Sequence, residues 1–127
     1  MDQLSSKNKF RVLLADDDRL TGTIISKILE KEDYDVTYVE NGQDAINCAK
    51  ANSYDYVITD IIMPEVEGIE VISEVLEYQP NTKIIAISSD DMAGHSTLLT
   101  IAQTMGASAT IKKPVRPDTL IQTIKSI

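Results

Sequence analysis

Five residues of this chain could do chemistry together: Asp16, Asp17, Asp60, Ser88 and Lys113. Each follows a short apolar segment. Val12-Leu13-Leu14-Ala15 runs into Asp16-Asp17, and Tyr56-Val57-Ile58-Thr59 runs into Asp60. Ile84-Ile85-Ala86-Ile87 runs into Ser88, and the mixed segment from Ala107 to Lys112 into Lys113. Short runs rich in branched side chains read as buried strands, so each polar residue stands where a strand ends. If the strands are parallel, all these ends share one edge of the sheet, where open α/β sheets bind ligands. Three carboxylates on that edge repel one another unless a cation sits among them. An all-oxygen set suits a hard divalent ion, and magnesium typically takes one or two carboxylates and keeps several waters. Pro64 forces a turn soon after Asp60, and Pro114 restricts the backbone of Lys113. Taken alone, Asp60 reads as a turn residue or a helix cap; the other four residues make it a site candidate.

The elements that must position these residues alternate in type. The sequence predicts a strand over Phe10 to Ala15, then a helix from Asp18 or Arg19 to about Glu32, with Asp18 as a possible cap. Leu20, Ile24, Ile28 and Lys31 lie along one face of that helix, widened by Ile25 and Leu29. A second strand covers Asp35 to Val39, Asn41-Gly42 reads as a turn, and Ala45, Ile46 and Ala49 mark a helix ending near Asn52. After the third strand, Gly68 leads into a helix with Ile69, Ile72, Val75 and Leu76 on one face, broken at Gln79-Pro80-Asn81. Lys83 to Ile87 is the fourth strand. Leu98, Ile101, Ala102 and Met105 then define a helix, with Gly106 in the position of its capping glycine. Pro117 suits the first turn of a last helix that turns Leu120, Ile121 and Ile124 inward. Five strand–helix alternations predict an α/β fold, a parallel sheet with helices on both faces, because right-handed crossovers place a helix between parallel neighbours.

The chain has 127 residues and a net charge of −8. That length suits one domain with a self-sufficient core. The acidic balance argues against nucleic-acid binding by this domain, since phosphate contacts need clustered Lys and Arg, and it leaves room for a basic protein partner. No apolar run is long enough to span a membrane. Residues 1–9 are polar and read as a flexible leader rather than a signal peptide, with the domain expected over 10–127. The single cysteine, Cys48, excludes an internal disulfide framework and fits a cytoplasmic location; its setting among Ala45 and Ala49 suggests burial as a small apolar group. His95, the one histidine, sits in a polar stretch and reads as a surface residue rather than a ligand.

The Asp16-Asp17 pair after a strand, Asp60 with Met63-Pro64 and Gly68 downstream, Ser88, and Lys113-Pro114 together resemble the receiver domain of two-component response regulators. The resemblance covers about Lys9 to Ile127. It implies a doubly wound, flavodoxin-like fold of five strands in the order 2-1-3-4-5 and five helices. It assigns Asp60 as acceptor of a phosphoryl group from a histidine kinase or histidine phosphotransfer protein. It implies a Mg²⁺ site, with Asp17 as direct ligand, Asp16 as a neighbour that binds through water or orients the site, Asp60, and the backbone carbonyl of Ile62. Ser88 matches the hydroxyl that bonds a phosphoryl oxygen, and Lys113 the lysine that pairs with Asp60 or its phosphate, in a step whose peptide bond is commonly cis. The implied role is a signalling phosphoacceptor rather than an enzyme, promoting only its own phosphorylation and dephosphorylation. Its output is a downstream protein or a linked output domain, with no membrane partner.

Three departures from the family pattern stand out. Thr110 occupies the position where an aromatic residue usually switches rotamer. The segment from Ser88 to Gly106, with Asp90, Asp91, Gly94 and His95, is longer than is common. Ile62 replaces a residue that is often polar. Two rival readings remain: a Mg²⁺-dependent phosphohydrolase with Asp60 as nucleophile, disfavoured because Ile62 breaks the Asp-x-Asp pattern, and a degenerate receiver that binds partners without phosphorylation, disfavoured by the intact set of five.

Overall fold

The computed structural model describes residues 9–63, 68–88 and 95–127. The expected leader up to Asn8, the turn at Pro64, the loop containing Asp90, Asp91 and Gly94, and the side chains of His95 and Leu98 lie outside the described residues. The elements run β1 (Arg11–Ala15), α1 (Arg19–Lys31), β2 (Asp35–Val39), α2 (Gly42–Ala51), β3 (Tyr56–Asp60), α3 (Gly68–Tyr78), β4 (Lys83–Ser88), α4 (His95–Thr104), β5 (Ala109–Lys112) and α5 (Pro117–Ser126). All strand pairs are parallel, and the sheet order is β2-β1-β3-β4-β5, as expected.

The sheet separates two apolar layers. Leu13, Val57 and Ile84 point to the side covered by Ala45, Ile46 and Ala49 of α2, Val71, Ile72 and Val75 of α3, and Ala102 of α4. Val12, Leu14, Ile58, Ile85 and Ile87 point to the side covered by Ile25 and Leu29 of α1 and Leu120 and Ile124 of α5. Strands buried on both faces must be apolar at every position, which is why they show no alternation in the sequence. Cys48 packs half-buried against the first layer.

Helix ends follow local chemistry. Asp18 caps α1, its carboxylate accepting from the N–H of Leu20 at 3.2 Å and from the Thr21 hydroxyl at 2.7 Å. Asn41 and Gly42 do not form a free-standing turn: Asn41 is the N-cap of α2, accepting from the N–H of Asp44 at 2.8 Å, and Gly42 is its first residue. Gly106 has φ of 120°, with Gly106 N–H bonded to the Gln103 carbonyl and Ala107 N–H to the Ala102 carbonyl. That double bond pattern closes α4 in a Schellman motif. Because it occupies the Ala107 N–H, β5 starts at Ala109 rather than at Ala107.

The inward face of α1 differs from the expected one. Gly22, Ile25 and Leu29 are buried, whereas Leu20 is 69% and Ile24 46% exposed and Lys31 is also exposed. At about 100° per residue, Leu20 and Lys31 stand roughly half a turn from the middle of the buried stripe. The apolar residues of α1 span more than one face, and the sheet accepts the side that carries glycine. On α4, Ala102 is buried while Ile101 and Met105, which also mark the helix in the sequence, are exposed.

Candidate functional site

Asp60 and Ser88 are the last residues of β3 and β4, still inside the sheet, with Asp60 in register with Ile87 and Ser88 with Lys112. Both are buried, Asp60 to 6% exposure. Asp16 follows β1 directly and is fully buried. The backbone of α3 approaches the same place. A Cβ on Gly68 would stand 2.0 Å from the Asp60 carbonyl oxygen, so only glycine fits there, and its N–H donates to the Ile61 carbonyl at 2.8 Å.

Lys113 links these groups. Its N–H donates to the Ser88 carbonyl at 2.7 Å, which continues the β4–β5 ladder by one residue. Its peptide bond to Pro114 is cis, as the resemblance implied. Its Nζ donates to Asp60 Oδ2 at 2.8 Å and lies 3.0 Å from Asp16 Oδ2. Burial works against the charge on Lys113, but the hydrogen bond to Asp60 and the close negative charges of Asp60 and Asp16 outweigh it and hold its pKa above the usual lysine value.

The two buried carboxylates are held differently. Asp60 Oδ1 accepts from the Ile62 N–H at 3.2 Å and Oδ2 accepts from Lys113, so both oxygens are engaged. Asp16 Oδ1 accepts from the Asp18 N–H at 2.9 Å. Asp16 Oδ2 has only the ion pair with Lys113 and no hydrogen bond of sound geometry. Burial, partly offset by the bonds from Asp18 and Lys113 and reinforced by the Asp60 charge, raises the Asp16 carboxyl to about 6. Asp17 is exposed at the rim, and one carboxylate oxygen from each of Asp16, Asp17 and Asp60 can be chosen so that all lie within 4.8 Å of one another.

This arrangement fits a metal ion. Two buried carboxylates share one ammonium, a third stands at the rim within reach of both, and the buried Asp16 Oδ2 has that ion pair but no hydrogen bond of sound geometry. Buried polar atoms without partners are rare and call for an explanation. Hard carboxylate oxygens clustered around an incompletely bonded acceptor are the donor set of a divalent cation. The Ile62 side chain is 52% exposed at the rim, so its backbone N–H, not its side chain, engages Asp60.

The sequence-predicted residues Asp16, Asp17, Asp60, Ser88 and Lys113 therefore gather at one edge of the sheet. Two contributors were not anticipated. The Tyr38 hydroxyl donates to the Asp16 backbone carbonyl at 2.7 Å, and Gly22 leaves room for the Tyr38 ring. They lie on different elements with no spacing in common, so no pattern in the sequence joins them.

Comparison with known proteins agrees with this geometry. Residues 12–125 match the response regulator receiver domain family. The chemotaxis protein CheY of Thermotoga maritima is 32% identical over 118 residues, which cover 92% of this chain and 96% of that protein. The CheY-like receiver domain protein of Methanospirillum hungatei superposes with a TM-score of 0.85 at 27% identity, over 94% of this chain and 93% of that one. A response regulator of Burkholderia pseudomallei, solved with a phosphorylated aspartic acid, a calcium ion and citrate, shares the fold at a TM-score of 0.81 and 19% identity, over 91% of this chain and 66% of that one. A family match over nearly the whole chain, on a sheet that brings three carboxylates and a lysine to one edge, shows that this chain belongs to the response regulator receiver domains, the phosphoacceptors of two-component signalling.

Proposed function

We propose that Asp60 is the residue that accepts the phosphoryl group, with Lys113 and Ser88 as its partners and Asp16, Asp17, Asp60 and the Ile62 carbonyl holding Mg²⁺. The observation that carries this reading is the contact of Lys113 Nζ with Asp60 Oδ2 at 2.8 Å and with Asp16 Oδ2 at 3.0 Å, the latter oxygen having no hydrogen bond of sound geometry, with the Asp17 carboxylate in reach of both acids. Phosphoryl transfer to a carboxylate brings two anions together, so positioning and charge neutralisation carry most of the catalysis. Bound Mg²⁺ supplies part of that neutralisation at the phosphoryl oxygens. Lys113 supplies the rest from the protein side, already fixed on the carboxylate that reacts. An Asp60 oxygen forms a bond to phosphorus as the bond to the donor nitrogen breaks. The new phosphate adds about −1.5 to −2 charge and strong acceptors, within reach of Lys113 and at the strand end that bears Ser88.

The donor in this reading is a histidine kinase or histidine phosphotransfer protein, and the product switches contact with a downstream protein or a linked output domain in the cytoplasm. The unit that acts is residues 10–127, with residues 1–9 a leader. The protein turns over no external substrate. Exposed Ile24 lies with Pro114 and Val115 beside Lys113, and Leu20 and Ile62 are exposed as well. Apolar groups grouped around a buried polar site suit a docking protein.

Incubation with a small phosphodonor and Mg²⁺, followed by intact mass measurement, tests this. One stable phosphate addition is expected in the wild type and none in Asp60→Asn. Turnover of an ordinary alkyl phosphoester, which a receiver does not use as a donor, would favour a phosphohydrolase, and no reaction would favour a partner-binding module that is never phosphorylated.

A further inference from the structure

Resting on the metal reading above, we propose that Tyr38 is a positioning residue of the acidic site, holding the Asp16–Asp17 peptide so that both carboxylates aim at the cation. Tyr38 lies in β2, in register with Leu14, next to the pairing of Val39 with Ala15. Its hydroxyl donates to the Asp16 carbonyl at 2.7 Å, while the Asp16 N–H donates to the Val39 carbonyl at 3.2 Å. Both peptide groups of Asp16 are thus held by β2. The carbonyl that Tyr38 holds belongs to the same rigid peptide plane as the Asp17 N–H, so it sets the direction in which Asp17 leaves the sheet.

Asp17 needs this. Among the described residues no hydrogen bond or ion pair holds its carboxylate, which faces solvent at the rim. Its aim is therefore set by its backbone. The other acids have their own anchors, Asp16 through the Asp18 N–H and Lys113 and Asp60 through the Ile62 N–H and Lys113. Room for the phenol is provided on a third element. A Cβ on Gly22 of α1 would lie 2.3 Å from two ring carbons of Tyr38 and 2.6 Å from its hydroxyl oxygen. Burial, with Glu40 and Asp16 nearby, raises the Tyr38 pKa further, so its hydroxyl remains a donor at neutral pH.

The test is Mg²⁺ titration by calorimetry on the full chain, with NMR of the Asp16 carbonyl carbon and the Asp17 amide. Tyr38→Phe keeps the ring and removes the donor. It is expected to shift the Asp16 carbonyl resonance and weaken Mg²⁺ binding by about threefold to tenfold, at or below the lower end of what losing an outer contact to a metal site costs. Gly22→Ala is expected to crowd the ring and weaken Mg²⁺ as well. The double variant should be no weaker than Gly22→Ala alone, because both changes break the same bond. Wild-type affinity in Tyr38→Phe, to within about twofold, alongside loss of binding in Asp17→Asn, would overturn the positioning role and leave the metal site standing. If Tyr38→Phe does not fold, Gly22→Ala decides: a moved Asp16 carbonyl resonance with unchanged Mg²⁺ affinity overturns the role equally. A wild type that takes up no Mg²⁺, or an Asp17→Asn protein that binds like wild type, removes the metal reading and the role of Tyr38 with it.

Discussion

The two edges of the sheet treat polar groups in opposite ways. At the N-terminal edge, Gln79 joins three segments. Its Nε2 donates to the carbonyls of Ala49 and Asn52, and its Oε1 accepts from the Tyr54 N–H at 2.9 Å and the Thr82 hydroxyl at 3.1 Å. Phe10, Tyr34 and Tyr56 cluster at the same edge, mostly edge to face, with ring centroids 5.9 to 6.3 Å apart. Every capacity of Gln79 is used within the protein. At the C-terminal edge, Asp16 and Asp60 share one lysine, Asp17 has no partner among the described residues, and Asp16 Oδ2 has an ion pair but no hydrogen bond of sound geometry. A network satisfied within the chain stabilises the fold, whereas one left incomplete costs stability and is retained for a ligand.

Breaking the satisfied edge should give the largest change in stability. Gln79→Ala leaves the Tyr54 N–H and the end of α2 without partners. It is expected to cost about 2–4 kcal/mol in denaturant unfolding. Mg²⁺ affinity should stay at the wild-type value, and a matching loss of affinity would mean that the two edges are not separate.

Filling the incomplete edge should stabilise it by mass action. Mg²⁺ at a hundredfold excess over its dissociation constant is expected to add about 2.7 kcal/mol. Asp17→Asn should lose most of this gain, read as the rise in melting temperature on adding Mg²⁺. Equal rises in wild type and Asp17→Asn would show that the ion binds elsewhere.

The contrast between edges was partly legible in the sequence. The strand ends were readable because apolar runs stop abruptly at Asp16, Asp60 and Ser88, and the alternation with helices fixed their common edge. The inward face of α1 was not, since Leu20, Ile24, Ile25, Ile28 and Leu29 cover two faces, and it is tertiary packing, of Ile25 and Leu29 in the core and of Gly22 against Tyr38, that selects one. The part played by Tyr38 depends on one hydroxyl meeting one carbonyl across two strands, which no periodicity encodes.

The Asp16 carboxyl sharpens the comparison through pH. It titrates near 6 in the folded protein against an ordinary 3.8. Between those values the metal-free folded state binds more protons than the unfolded state. The contribution of Asp16 to stability is therefore fully present below about pH 4 and is lost as pH rises through 6, by on the order of 3 kcal/mol. Asp16→Asn removes the ionisation, so its stability relative to wild type should increase from pH 4 to pH 7 in the absence of Mg²⁺. A constant difference across that range would show that the buried carboxyl is not paying for its charge.

The smallest effect is expected at Thr110, and it asks how the incomplete edge communicates. Thr110 pairs with Ala86 in the sheet and is half-buried. It is too small to fill or vacate a pocket of aromatic size, so an aromatic switch cannot act there. Ser88 is better placed. It is buried at the end of β4, its carbonyl takes the Lys113 N–H at 2.7 Å, and the chain from it leads into α4. A phosphate on Asp60 would attract the Ser88 hydroxyl, and the shift it can drive is limited to a few kcal/mol by how differently the phosphate bonds in the two positions. Ser88→Ala should keep most phosphate uptake yet blunt the change in amide exchange over residues 89–105. Thr110→Ala should alter stability by less than about 1 kcal/mol and leave that change intact. A full response in Ser88→Ala, or none in Thr110→Ala, would move the switch from the strand that carries the hydroxyl to the strand that carries the lysine.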